Sequence, residues 1–339
     1  MSAAAALAVS RRADRQAGRT LIELMVSVAI ALAITAAVAS VYVSTSRTAR
    51  VAGELAGIAD GGQVTMQLIG DAIRQAGYGE IVGSDLALGA GQVGLNRSQT
   101  LFAAGMAVGG CTGARFVDET LETPVCGAAG SANFDTLLVR FQGDAVIPPA
   151  QGRIDDCLGG QVPVVDLPAG HPGIARVASR PMIHGVYYGL NGALWCRGNG
   201  RATQADPFPA AQQLIGNVEQ FKVFYGFDDV RWASPATSVG ASTRSLRDAA
   251  WINGQDPTMA AWDFVVSVHV CMVVRSDPDA GKGLTRTQSP TYERCPQTAA
   301  EAAGSLPQVT ATDGALRRTY LQTFTVRGST PANPRLFMP

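Results

Sequence analysis

The chain has 339 residues, 47% of them hydrophobic and 16% charged, with 27 basic side chains against 27 acidic ones. That length can bury a sizeable core in one large domain or two small ones. A net charge of zero excludes a polyanion partner held by bulk electrostatics, and because Lys222 and Lys282 are the only lysines, nearly all the positive charge is arginine.

Arg11, Arg12, Arg15 and Arg19 precede an apolar stretch that runs from Leu21 to Val43. Its 23 residues give about 35 Å of helix, enough to cross a bilayer core. A cleaved secretory signal has an apolar region of only about 7–15 residues, so the length predicts an anchor. One charge, Glu23, lies inside it, and the next is Arg47. A charge in hydrocarbon costs about 2.5–3.5 kcal/mol at mid-helix and less near an end, so a compensating partner is expected. Four arginines before the stretch against Arg47 and Arg50 after it predict a cytoplasmic N-terminus, with the bulk of the protein on the other side.

The helical pattern continues past the apolar stretch. Val51, Leu55, Ile58, Gly62, Met66, Ile69, Ile73 and Ala76 recur at steps of three and four, which predicts one helix over about 20–76. Gly53, Gly57, Gly61 and Gly62 each disfavour helix by about 1 kcal/mol, so a bend or local melting is expected there. Gly77 is placed to cap the C-terminus, and Arg74 complements the helix dipole in the last turn. Residues 80–133 are rich in Gly and Ala and read as a long excursion with few strands.

Strand patterns follow at 135–142, 219–225, 263–275 and 320–327, and 186–196 reads as a hairpin turning at Asn191-Gly192. Val266, Val268, Val270, Met272 and Val274 share one apolar face, while Ser267, His269, Cys271 and Arg275 share the other. Such half-buried strands fit an antiparallel sheet packed on one side, with the long helix as its cover. The expected class is α+β, with long loops at 143–180, 197–210, 227–260 and 276–315.

Cys111, Cys126, Cys157, Cys196, Cys271 and Cys295 all lie beyond the anchor. An even count in an exported domain favours disulfides over metal ligands. No Cys-x-x-Cys occurs, and His171, His184 and His269 have no metal-ligand spacing. Six cysteines allow 15 pairings. Short loops favour the sequential set, Cys111 with Cys126, Cys157 with Cys196 and Cys271 with Cys295, each constraining the unfolded chain by about 3–4 kcal/mol.

The run Gly18-Arg-Thr-Leu-Ile-Glu-Leu-Met25 and its apolar tail resemble the cleavage and assembly signal of type IV pilins and pseudopilins. In that family a Gly precedes the scissile bond and a Glu is fifth in the mature chain, here Gly18 and Glu23. The usual first mature residue is Phe, and this sequence has Arg19. Asp71-Ala-Ile-Arg-Gln-Ala-Gly-Tyr-Gly79, the segment 214–228, Val273-Val-Arg-Ser276 and Leu316-Arg-Arg-Thr-Tyr320 resemble the PilW family of minor pilins.

The resemblance implies a type IV pilin-like α+β fold. A long N-terminal α-helix, membrane-spanning in its first half, packs on an antiparallel β-sheet with long disulfide-containing loops. It divides the chain into a leader at 1–18, a transmembrane and assembly helix at 19–46, an amphipathic continuation at 47–79 and a periplasmic domain at 80–339. Prepilin peptidase would cut at Gly18-Arg19, and the new amine of Arg19 would be N-methylated. Glu23 would meet that amine on a neighbouring subunit, making the charge a register device. The implied partners are other minor pilins, the major pilin, the peptidase and inner-membrane lipid. The implied role is assembly initiation at a pilus tip, supporting adhesion and twitching motility. A type II secretion pseudopilin shares the signal and helix, and a membrane-anchored periplasmic enzyme or binding protein is the alternative from another class.

An enzyme needs a constellation of residues. Neither Gly-x-Ser-x-Gly, His-Glu-x-x-His nor a complete phosphate loop occurs, and Gly281-Lys282-Gly283 lacks the leading Gly and the hydroxyl residue. No catalytic residue, cofactor or metal is therefore expected. Asp277, Asp279 and Gly281 imitate the start of a calcium loop but lack a third acidic oxygen and a closing Glu. Asp228 and Asp229 form a second acidic pair, read as a solvated turn. Trp195, Trp232, Trp251 and Trp262 read as core and hairpin packing, since no interleaved Lys/Arg series accompanies them and no nucleic acid is expected.

Overall fold

The computed structural model describes residues 20–77, 107–119, 124–142, 155–160, 162, 182–200, 209–233, 244–255, 260–276 and 291–326. Helix α1 (Leu21–Gln75) is continuous. The chain divides into two units, with the boundary between Ala52 and Gly53 inside this helix. In the first unit, hydroxyls that would be costly in an apolar medium return to the helix's own carbonyls. Ser27 Oγ donates to Leu24 O at 2.9 Å and Thr35 Oγ1 to Ala31 O at 2.7 Å. Leu21, Ile22, Leu24, Ile30, Leu32 and Ile34 are all exposed. Among the described residues α1 is the one helix long and apolar enough to cross a membrane.

In the second unit α1 buries Ile58, Gly62, Thr65, Met66, Ile69, Gly70 and Ile73. The stripe read from the sequence is thus buried from Ile58 onward, while Leu55 is exposed. The local melting expected at the glycines does not occur, since helix runs through all four of them. Gly62 lies under the Tyr320 ring and Gly70 under the Phe324 ring, where any Cβ would collide. Tyr320 Oη donates to Ile58 O at 2.8 Å, and the Arg74 guanidinium lies 5.2 Å from the Phe324 centroid. These contacts offset the intrinsic cost of glycine, about 1 kcal/mol each. Gly77 adopts φ 76°, and its N–H donates to Arg140 O at 2.9 Å, so the helix ends on a left-handed glycine tied to a strand.

The strands are β1 (Val108–Cys111), β2 (Ala114–Phe116), β3 (Cys126–Ala129), β4 (Thr136–Gln142), β5 (Met182–Leu190), β6 (Ala193–Gly198), β7 (Gln212–Ile215), β8 (Val218–Asp228), β9 (Arg244–Arg247), β10 (Val265–Arg275), β11 (Thr291–Glu293), β12 (Gln308–Thr310) and β13 (Arg317–Thr325). They pair antiparallel in a five-stranded sheet, β1-β4-β5-β6-β7, and a four-stranded sheet, β13-β10-β8-β9, with two-stranded ladders β2-β3 and β11-β12. Phe134 and Phe221 make a single parallel bridge. Short helices α2 (Asp229–Ala233), α3 (Ala249–Asn253) and α4 (Ala299–Ala302) interrupt the long connections.

Among its described residues the Gly/Ala-rich stretch before 133 holds the short strands β1, β2 and β3, with β1 extending the five-stranded sheet from Val108↔Val139 to Cys111↔Thr136. Two expectations change. The connection at 276–315 holds β11, α4 and β12. The central strands are buried on both faces, not one: β4 buries Leu137, Val139 and Phe141 on one side and Leu138 and Arg140 on the other. In β10 Val268, Val270, Met272 and Val274 join the main core together with Val265, the register shifting between Val265 and Ser267, while Cys271 and Val273 pack with Cys295 and Tyr292. The second cover comes from the connection itself, stapled to β10 by the Cys271–Cys295 disulfide. The hairpin turn matches its reading: Asn191 at φ 52° and Gly192 at φ 71° form the two-residue turn that suits strand twist.

Candidate functional site

Glu23 sits in the first turn of α1 and is exposed. Its N–H and that of Leu24 donate to Thr20 O at 3.0 and 3.3 Å, so the helix starts just before the carboxylate. A negative charge there complements the partial positive charge of the helix N-terminus. Gly18 and Arg19 lie outside the described residues. The arrangement is a lone carboxylate at the head of an exposed apolar helix, with no other charge before Arg47.

Disulfides join Cys111 to Cys126, Cys157 to Cys196 and Cys271 to Cys295, across 15, 39 and 24 residues. The first ties β1 to β3. The second ties β6 to a turn that Asp156 organises: its Oδ1 accepts from Leu158 N and Gly160 N at 2.9 Å each, and its Oδ2 from Gly200 N at 2.7 Å. Beside that turn lies a cavity of about 350 Å³, bordered by α1 from Val64 to Gln75, by β4 and β5, and by residues 155–159.

Two buried polar pairs lie in the sheets. Lys222 Nζ lies 2.7 Å from Asp135 Oδ1, and both side chains are 3% exposed. Asp135 also accepts from Gly113 N at 2.8 Å and Val223 N at 2.9 Å, while Lys222 donates to Ala132 O at 3.1 Å. Burial raises the Asp135 pKa, and the Lys222 charge works against that rise. In the five-stranded sheet, Arg140 Nε donates to His184 Nδ1 at 3.1 Å. Burial, then the charge of Arg140, holds the His184 pKa well below its ordinary 6.5, so its ring is neutral and accepts at Nδ1.

That depression sets a pH dependence. Below about pH 6.5 the unfolded chain takes a proton at His184 that the folded chain resists, so stability falls as pH falls through that range. Thermal unfolding from pH 8 to pH 5 should show a declining midpoint, and His184→Gln should shallow the decline. An unchanged slope in His184→Gln would locate the effect elsewhere.

The remaining candidates, where they are described, make structural contacts. Asp229 pairs with Arg247 at 3.1 Å, and the Arg247 guanidinium lies 4.2 Å from the Trp251 centroid. Asp277, Asp279 and Gly281 lie outside the described residues. Among the described residues no three His, Cys, Asp or Glu converge as metal ligands. Trp262 is buried, donates to Asn253 Oδ1 at 2.9 Å and meets Tyr225 edge-on at 4.8 Å. Trp232 and Trp251 pack around Phe227, and Trp195 Nε1 donates to Leu190 O across the hairpin. His269 is half-buried, with Thr323 Oγ1 2.9 Å from its Nδ1. Sequence reasoning passed over Asp135, Lys222 and the cavity; a lone lysine inside an alternating strand was the one available sign of a buried pair.

The architecture defines a class: an α+β protein with one long apolar N-terminal helix and a disulfide-bonded body of antiparallel sheets. Residues 183–328, from β5 to just beyond β13, match the model of the PilW family, type IV pilus-assembly protein W. The segments 214–228, 273–276 and 316–320 fall inside that match. Among solved structures the chain is similar to a type IV-like pilin from Thermus thermophilus, at 13% identity and a TM-score of 0.36, over 80% of this chain and 96% of that one. No curated protein sequence matches it.

Proposed function

We propose that this protein is a non-enzymatic minor pilin of a type IV pilus. The reading rests on one combination: a single carboxylate, Glu23, at the head of an exposed apolar helix, in the chain whose residues 183–328 match the PilW model. In this reading residues 1–18 are a leader, 19–46 anchor the chain in the inner membrane, and the sheet body lies in the periplasm. Prepilin peptidase cuts between Gly18 and Arg19, freeing an amine for N-methylation. Glu23 of one subunit then meets the amine of a neighbour, and only the correct axial stagger brings them together, because any other leaves both charges in hydrocarbon. Partners are other minor pilins and the major pilin, in a complex that initiates the fibre, stays near its tip and supports adhesion and twitching. Gly18→Ala tests the reading: the variant should keep its leader and give no fibres containing it. Normal fibres built from uncleaved Gly18→Ala chains would overturn it.

A further inference from the structure

Residues 291–310, which hold β11, α4 and β12, cover the face of β10 that bears Cys271 and Val273. These three elements are too short to keep their shape alone in water. Within 291–310, Cys295 and Pro296 alone are buried. Polar bonds tie the segment to itself: Arg294 Nη1 and Nη2 donate to Glu301 Oε2 and Oε1 at 3.0 Å each, Gln297 N to Glu301 Oε2 at 2.9 Å, and Arg294 N to Pro307 O at 2.9 Å. Its hold on the sheets is thinner. The apolar part is a satellite of Cys271, Val273, Cys295 and Tyr292, separate from the main core. Cys295 N donates to Gln220 Oε1 at 2.8 Å, Thr319 Oγ1 donates to Glu293 O, and the Arg317 guanidinium lies 5.0 Å from the Tyr292 centroid. The covalent tie is the Cys271–Cys295 disulfide. Beyond the segment the chain is fastened again, with Ser276 N donating to Leu316 O at 2.8 Å and Arg317 pairing with Asp313 at 2.6 Å.

We propose that residues 291–310 are a redox-latched strap. With the Cys271–Cys295 bond intact the strap stays closed on β10; with the bond reduced it lifts as a unit and uncovers Cys271 and Val273 while both sheets stay folded. The main core contains no residue of the strap, so lifting takes nothing out of that core. The bonds within the strap survive the motion, whereas the contacts to Gln220, Thr319 and Arg317 are given up. Breaking the cross-link over its 24-residue loop removes a constraint on the open state and leaves the closed state's packing to hold alone. Both cysteines are fully buried, so a dithiol reaches the bond through a transient opening of the strap. The dithiol then supplies two electrons and two protons: the sulfur–sulfur bond breaks, Cys271 and Cys295 become thiols, and the dithiol becomes a disulfide. The latch works whether or not the chain enters a fibre.

Hydrogen–deuterium exchange, read by mass spectrometry on the full-length chain in detergent micelles, compares the parent with the double variant Cys271→Ala and Cys295→Ala. Peptides from 291–310 should exchange about tenfold faster or more in the variant, while those from β4, β5 and β8 keep the parent's rates. Parent-like protection of 291–310 would show that the bond is no latch, and lost protection in β4, β5 and β8 would show that the strap does not open alone; either result overturns the proposal. Pulsed reduction of the parent with dithiothreitol, followed by alkylation and peptide mapping, reads the opening without a substitution. Cys271 and Cys295 should take label before Cys157 and Cys196, which belong to the main core. The reverse order would also overturn the proposal.

Discussion

A Glu23→Val chain is expected to lose its leader normally, remain in the membrane and be missing from the fibre. The substitution takes out the single carboxylate between Thr20 and Arg47 and leaves the apolar helix longer and uninterrupted. Insertion therefore becomes easier. In the assembled state, however, each neighbour's terminal amine would face hydrocarbon with no counter-charge. Breaking one partner of a desolvated ion pair costs about 3–5 kcal/mol, which corresponds to more than a hundredfold in the occupancy of a subunit contact. Immunoblots of sheared fibres and membranes, normalised to cleaved chain, measure the ratio. Incorporation equal to the parent would show that the carboxylate does not set the register.

Lys222→Met should be the most destabilising single change in the sheet body that leaves packing volume nearly unchanged. Methionine replaces the stem of the lysine but not its ammonium, so the Asp135 carboxylate, 3% exposed, keeps Gly113 N and Val223 N and loses its cation. Ala132 O loses a donor at the same time. The expected loss is about 3–5 kcal/mol, or a fall of roughly 6–20 °C in the melting midpoint for a domain of this size. Adding Asp135→Asn should recover part of it, because a neutral amide no longer carries a buried charge while its oxygen still accepts from the backbone. A midpoint within 2 °C of the parent in Lys222→Met, an allowance of about 1 kcal/mol, would mean that the pair contributes nothing net.

The sequence carried the helix openly because its signals are local: an apolar run, a stripe at steps of three and four, and a glycine stop at Gly77. It misdirected the reading of the internal glycines for a non-local reason. Gly62 looks like a weak point, yet it and Gly70 are the floor on which Tyr320 and Phe324 rest, and the hydrogen bond from Tyr320 to Ile58 spans 262 residues of chain. The same limit explains the strands. Alternation in β10 shows one apolar face, but what covers the other face depends on where the segment after 290 folds back, which no local pattern records. The cavity is less legible still, since its walls come from four separate stretches, and Asp155 and Asp156 look like any solvated loop until β4, β5 and α1 surround them. Glu23 stands out in the sequence alone, because a carboxylate in an apolar run is anomalous in any structure, and its role as a register belongs to the proposal.

The central claim is that the helix beginning at Leu21 becomes an assembly element only after the chain is cut just before it. Mass spectrometry of the N-terminal peptide, taken from chain recovered in sheared fibres, measures this directly. A peptide beginning at Arg19, with or without one added methyl group, is the predicted result; fibres containing chains that still carry residues 1–18 would contradict the account.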